Sequence, residues 1–307
     1  MRETLAGINI AVIGGDEREL VLIQELIKQG ANVKVIGFPF RPELEGAKIV
    51  NSIIKVLTDV DVVVLPMSGT DIHGNVKAIF TNEKLIISDE TLSYLKPGTL
   101  LLVGAARPIL RDMVNRHKLK LIETANIDKI AILNSIPTAE GAIQIAMEKL
   151  PITIHNSKAL VLGLGRCGAT LAGLLNALGA HVYVAVRKEA DLARGFVQGY
   201  KTVTYPNLTQ YLPTFDVIFN TVPALILDSS KIALLNRNCL IIDIASSPGG
   251  VDFSAAEKLG IQAILAPGLP GKVAPKTAGQ ILADYYPGLI LQEIRKDFRR
   301  CNDAIER

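Results

Sequence analysis

Residues 158–187 read KALVLGLGRCGATLAGLLNALGAHVYVAVR. Residues 159–162 are an apolar run, and Gly163, Gly165 and Gly168 follow it as G-x-G-x-x-G. Leu171, Leu174, Leu175 and Leu178 then recur at helical spacing, Gly179 closes the helix, and residues 181–186 make a second apolar run. The stretch therefore predicts strand, glycine turn, helix and strand, the setting in which this glycine spacing signifies dinucleotide binding. The first glycine permits the tight turn, the second lets the backbone approach a pyrophosphate, and the third lets helix and strand pack closely. The helix N-terminus adds unpaired N–H groups for the anion. Gly163, Gly165, Arg166 and Gly168 are thus expected to wrap the pyrophosphate. Cys167 sits beside the same turn as a small packing residue, since no histidine or carboxylate spacing marks it as a nucleophile.

The tip of the second strand points to the form of the cofactor. An NAD site places Asp or Glu there for the ribose hydroxyls, whereas this strand ends Ala185-Val186-Arg187-Lys188. Arg187 can fork onto a 2′-phosphate and Lys188 adds a point charge, so NADP is expected rather than NAD. Thr221, Val222 and Pro223, after the next strand, are expected under the ribose.

Composition bounds the remainder. The chain has 307 residues, 49% of them hydrophobic, which is enough for two cores of ordinary domain size. Thirty-three Lys and Arg against 30 Asp and Glu leave a charge of only +3, with no basic run interleaved with aromatics, which argues against nucleic acid as a partner. Three cysteines, Cys167, Cys239 and Cys301, lack C-x-x-C spacing, and four histidines lack any H-x-x-H arrangement, so neither a disulfide framework nor a metal site is expected. The run 8–15 is too short for a signal peptide and nothing approaches a membrane span. A cytoplasmic protein is the expectation.

The N-terminal part has the same β-α rhythm: strands at 8–13, 33–36, 61–65, 85–87, 100–103 and 121–123, and a helix at 18–29 stopped by Gly30. Gly14-Gly15 lacks the third glycine of a dinucleotide fingerprint. The expected fold is α/β, with two Rossmann-like doubly wound domains of mostly parallel sheet. Residues 1–137 form a substrate domain without a cofactor of its own, 138–150 a connecting helix, 151–275 the NADP domain, and 276–307 a helical return to the first domain, interrupted at Pro287-Gly288. Strands at 217–220, 240–244 and 263–266 end in turns at 220–223, 246–250 and 267–271, outside the carboxyl edge where ligands of open sheets bind.

SIPTAEG at 135–141, LGLGRCG at 162–168, DIASSPGGVDF at 243–253 and APGLPGKVAPKTAGQ at 266–280 together resemble the dipicolinate synthase A-subunit family of spore-forming bacteria. The resemblance implies an NADP-dependent oxidoreductase that makes pyridine-2,6-dicarboxylate from a dihydrodipicolinate-level intermediate. It further implies work with a flavoprotein-like B subunit in the mother cell during sporulation. Self-association into a homo-oligomer is compatible with it. A dianionic substrate needs cations or N–H donors, and Arg107, after the strand at 100–103, is the first candidate clamp. Ser68-Gly69-Thr70 offers hydroxyls at the equivalent edge. Ser135 and Thr138 are placed at the hinge facing the nicotinamide, with a helix cap as the plainer role for Thr138. Glu140 is a candidate base or a capping-box residue, and Lys276 is a candidate carboxylate or cofactor ligand. Two other readings remain open: a shikimate- or methylene-tetrahydrofolate-type dehydrogenase, and a cofactor-binding interaction protein without turnover.

Overall fold

Short, mostly apolar runs alternating with turns and helices build two parallel sheets in the computed structural model, which describes residues 4–305. Residues 1–3 and 306–307, the ends of the expected first and last segments, lie outside the described residues, as does the side chain of Cys301. The chain divides into two units, 1–131 with 274–307, and 132–273.

In the N-terminal unit β1 (Asn9–Ile13), α1 (Glu17–Lys28), β2 (Asn32–Ile36), β3 (Lys48–Ile49), α2 (Ile53–Leu57) and β4 (Val62–Val64) come first. An antiparallel pair, β5 (Asn75–Val76) and β6 (Leu85–Ile86), interrupts the alternation. Then follow α3 (Asp89–Leu92), β7 (Leu100–Val103), α4 (Pro108–Arg116) and β8 (Lys120–Glu123). The six-stranded sheet has the order β3-β2-β1-β4-β7-β8, parallel throughout. Its strands are near-continuous apolar runs because helices cover both faces. Ile10, Ala11, Val12, Ile13, Val63 and Leu101 are all fully buried.

The helix α5 (Asp128–Lys149) leads into the second unit. There β9 (Lys158–Leu162), α6 (Arg166–Ala177), β10 (His181–Val186), α7 (Glu189–Val197) and β11 (Lys201–Thr204) precede β12 (Val217–Asn220), α8 (Ser229–Ile232), β13 (Leu240–Asp243), α9 (Phe253–Leu259), β14 (Gln262–Leu265) and α10 (Leu269–Val273). The order β11-β10-β9-β12-β13-β14 repeats that of the first sheet. The direction of strand order reverses between β9 and β12, and between β1 and β4.

Several expectations need correction. The run at 85–87 pairs with β5 instead of joining the main sheet. The edge strands β3 and β11 went unpredicted, the first because Lys48-Ile49 is too short to show a pattern and the second because Lys201-Thr202-Val203-Thr204 is half polar. The connecting helix starts at Asp128, not at 138, and runs through Pro137. Proline removes one N–H and crowds the preceding turn, but buried Ile130, Ser135, Ala139, Ala142 and Ala146 keep the helix packed on either side of it. The unit boundaries correspondingly fall at 131/132 and 273/274. The turn at 267–271 is partly taken up by α10. Finally, α11 (Pro275–Ile305) is continuous through Pro287, with Tyr286 and Ile290 buried beside the proline.

Within the N-terminal unit α11 lies against α1. A Cβ built on Gly279 would come 2.8 Å from the Arg18 carbonyl oxygen, so only glycine permits this approach. The Tyr286 hydroxyl lies 2.8 Å from Thr124 Oγ1, and burial pushes that phenol far up. Among the described residues no helix is long and apolar enough to cross a membrane.

Candidate functional site

The turn between β9 and α6 shows three glycines with three separate geometric reasons. Gly163 has φ +89°, and a Cβ there would lie 2.8 Å from Thr221 Oγ1 and 2.9 Å from Val222 Cγ2. A Cβ on Gly168 would sit 2.2 Å from the Gly163 carbonyl oxygen, so the helix rests directly on the strand end. On Gly165 it would meet nothing within 4 Å. This second glycine therefore borders open space, where an approaching phosphate requires a bare backbone. Gly165 is also the N-cap of α6 and supplies no side-chain cap, leaving the first-turn N–H groups and the positive end of the helix dipole to an anion.

Beside this turn is a cavity of about 430 Å³, a size that suits part of a dinucleotide. Gly163, Arg187, Lys188, Tyr205, Val222 and Pro223 are among its lining residues. Both cations are exposed at the end of β10. Burial pushes the Tyr205 hydroxyl up while the Arg187 cation pulls it part of the way back. Asp191 also borders the cavity, but its carboxylate is bound at 2.7 Å by Arg194. The residues present thus fit a nucleotide: an uncapped helix end for the pyrophosphate, apolar walls for the base and ribose, and two exposed cations at the rim.

The walls are held by a buried polar pair that sequence reasoning missed. Asn220 and Asp243, at the ends of β12 and β13, are both fully buried. Asn220 Nδ2 donates to Asp243 Oδ1 at 2.9 Å and to the Val222 carbonyl at 3.0 Å. Asp243 accepts two further N–H groups, from Ala245 at 3.0 Å and Gly250 at 2.9 Å. One carboxylate therefore ties together the loops after both strands. A polar residue closing each apolar run, VIFN and LIID, was the available signal.

Other expected site residues stand as follows. Thr221 walls the Gly163 turn, with its hydroxyl donated to the Leu162 carbonyl at 2.7 Å. Burial pushes the Cys167 thiol up, against the opposing pull of the Arg166 cation. Ser135 is buried in α5, where its hydroxyl donates to the Ile132 carbonyl and lies 2.6 Å from Thr170 Oγ1. Thr138 is no cap: it lies inside α5 and donates to the Asn134 carbonyl at 2.7 Å. Glu140 likewise lies mid-helix, exposed, and forms no capping box. Arg107, in the N-terminal unit, is the exposed residue preceding Pro108 at the start of α4. Lys276 is exposed in the first turn of α11.

Comparison with known proteins agrees with this geometry. The model for the N-terminal domain of the dipicolinate synthase A subunit matches residues 9–125, and that for the D-isomer specific 2-hydroxyacid dehydrogenase NAD binding domain matches residues 137–248. The chain is 40% identical over 289 residues to the A subunit of dipicolinate synthase from Bacillus subtilis (strain 168), covering 94% of this chain and 97% of that one. It is similar to the crystal structure of the dipicolinate synthase A subunit from Bacillus halodurans, with TM-score 0.90, 38% identity and coverage of 94% and 99%. It is also similar to the crystal structure of the corresponding protein from Bacillus subtilis, with TM-score 0.88, 39% identity and coverage of 96% and 100%. The second unit is thus a nicotinamide-cofactor domain of the dehydrogenase type.

Proposed function

Because the chain belongs to the family of dipicolinate synthase A subunits, we propose that it is the NADP-dependent dehydrogenase component that converts dihydrodipicolinate into pyridine-2,6-dicarboxylate. The observation that carries this reading is the pair Arg187 and Lys188 at the tip of β10, bordering the cavity beside the uncapped N-terminus of α6. When bound, the nicotinamide supplies the acceptor for a hydride from a ring carbon. The dihydropyridine ring loses that hydride and one proton, and aromatisation drives the step. The chain has little covalent chemistry to perform and acts by positioning and electrostatics.

In this reading the α6 N-terminus would hold the pyrophosphate, Arg187 and Lys188 would meet the 2′-phosphate, and Tyr205, Val222 and Pro223 would wall the nucleoside. Arg107 and Lys276, both exposed cations of the N-terminal unit, are the proposed partners of the substrate carboxylates. Ser135 and Thr138 contribute through packing, as their hydroxyls are already bonded within α5 and to α6. A B subunit is the proposed partner, in the mother cell of a sporulating bacterium.

The test is calorimetric titration of NADP and NAD, together with the absorbance of reduced nicotinamide when hydroxy-tetrahydrodipicolinate is supplied with and without the B subunit. NADP should bind more tightly than NAD, and Arg187→Ala should weaken NADP about tenfold or more while leaving NAD unchanged. The alternative is that NAD is the cofactor, with Asp191 on the same cavity wall leaving Arg194 for the ribose hydroxyls. Equal or tighter NAD binding would establish that alternative, and cofactor binding without reduction in any mixture would reduce the chain to an interaction protein.

A further inference from the structure

The two six-stranded sheets share one strand order, so β1, β2 and β3 correspond to β9, β10 and β11. The nucleotide-sized cavity of the second unit is bordered by the last residue of β10 and the two that follow, Val186, Arg187 and Lys188. At the corresponding place in the N-terminal unit the last residue of β2 and the two that follow, Ile36, Gly37 and Phe38, border a cavity of about 760 Å³. Sites outside the carboxyl ends of strands are where open α/β sheets bind ligands.

The chemistry of this second cavity differs from that of the first in two respects. Its cations come from the neighbouring edge strand and helix: Lys48 on β3 and Lys55 on α2, with the Asn51 amide between them in sequence. Neither lysine forms a salt bridge among the described residues, and Glu83 is the one carboxylate in the lining. The half-exposed Phe80 ring borders the cavity, backed by the buried Phe38 with ring centroids 5.7 Å apart, and the Arg41 guanidinium lies 4.5 Å from the centre of the Phe80 ring. The second difference is at the helix. The N-terminus of α1 is closed by its own carboxylates: Asp16 accepts from the Arg18 N–H at 3.1 Å, and Glu19 accepts from the Asp16 N–H at 2.7 Å. A pyrophosphate has neither donors nor charge to attract it there.

We propose that this cavity binds a planar heteroaromatic anion no larger than a mononucleotide, with its ring beside Phe80 and Arg41 and its anionic group between Lys48 and Lys55. Such an anion is available from two sources, an adenine nucleotide or the pyridine dicarboxylate product. The site shares no lining residue with the cofactor cavity, and only its dicarboxylate source rests on the reaction proposed above.

Calorimetric titration of the full chain with AMP and, separately, with pyridine-2,6-dicarboxylate tests it. One probe should bind, and the double variant Lys48→Glu/Lys55→Glu should weaken that probe at least tenfold, while Arg187→Ala leaves it unchanged. Both lysines are exposed, and an unaltered melting midpoint shows that the variant is folded. The milder Lys48→Gln/Lys55→Gln serves if that midpoint falls. AMP lost in Arg187→Ala but retained in the lysine variants belongs to the cofactor cavity, and dicarboxylate retained in the lysine variants belongs to a reaction site. Either result, or no binding of both probes, overturns the proposal. The probe that binds identifies the source.

Discussion

Gly165 and Gly168 are three residues apart and respond to the same substitution in opposite ways. A methyl at Gly168 meets the Gly163 carbonyl at 2.2 Å, so Gly168→Ala should cost about 1–3 kcal/mol and lower the melting midpoint. At Gly165 the methyl enters open space, so Gly165→Ala should melt within a few degrees of the parent yet bind cofactor at least tenfold more weakly, which titration reads directly. Glu19 yields a second prediction. Burial pushes its carboxyl up from 4.5 to about 7, with Asp16 adding to the rise and Arg18 opposing it. The unfolded chain releases this proton near pH 4.5 and the folded chain keeps it to about pH 7. Stability from this group is therefore present at low pH and lost as pH rises through that window, by up to about 3 kcal/mol. Glu19→Gln removes the titration while keeping an acceptor for the Asp16 N–H, so its melting midpoint should gain on the parent steadily between pH 5 and pH 8. A parallel pair of curves would show that Glu19 does not titrate in that range.

At the level of elements, two helix N-termini of like position are prepared differently. Asp16 and Glu19 saturate that of α1, whereas glycines leave that of α6 to a ligand. Only the missing third glycine after Gly14-Gly15 was legible in the sequence, and the Asp16–Glu19 capping box is seen in the fold. The loops after β12 and β13 are less legible: the turns show in the sequence, but not the Asn220–Asp243 pair that joins them. Removing that carboxylate leaves Asn220 Nδ2 and the N–H groups of Ala245 and Gly250 without their acceptor. Asp243→Ala should cost about 3 kcal/mol or more and also weaken cofactor binding, since Val222 is positioned through Asn220. Unchanged stability would mean that water replaces the carboxylate. The helices α5 and α11 mark where local rules mislead. Pro137 and Pro287 read as breaks, but packing on either side holds each helix through its proline.

Across the whole molecule the two units repeat one strand order, while their cores are closed differently. Ala278, Leu282, Ala283, Tyr286 and Ile290 of α11 are buried in the N-terminal unit, which draws its core from both ends of the chain. Tyr286→Phe removes the bond to Thr124 and should cost about 1 kcal/mol, whereas Tyr286→Ala should cost about 3–5 kcal/mol, as chemical denaturation would measure. The α/β class, the βαβ core of the cofactor unit and the cations at the tip of β10 were all readable in order along the chain, because alternation of apolar runs with glycine turns is a local pattern. The short edge strands β3 and β11, the continuous helices, the Asn220–Asp243 bridge and the cavity past β2 were not. Each depends on residues far apart in sequence meeting across strands, and only the folded chain brings a partner strand, a covering helix or a buried acceptor within reach.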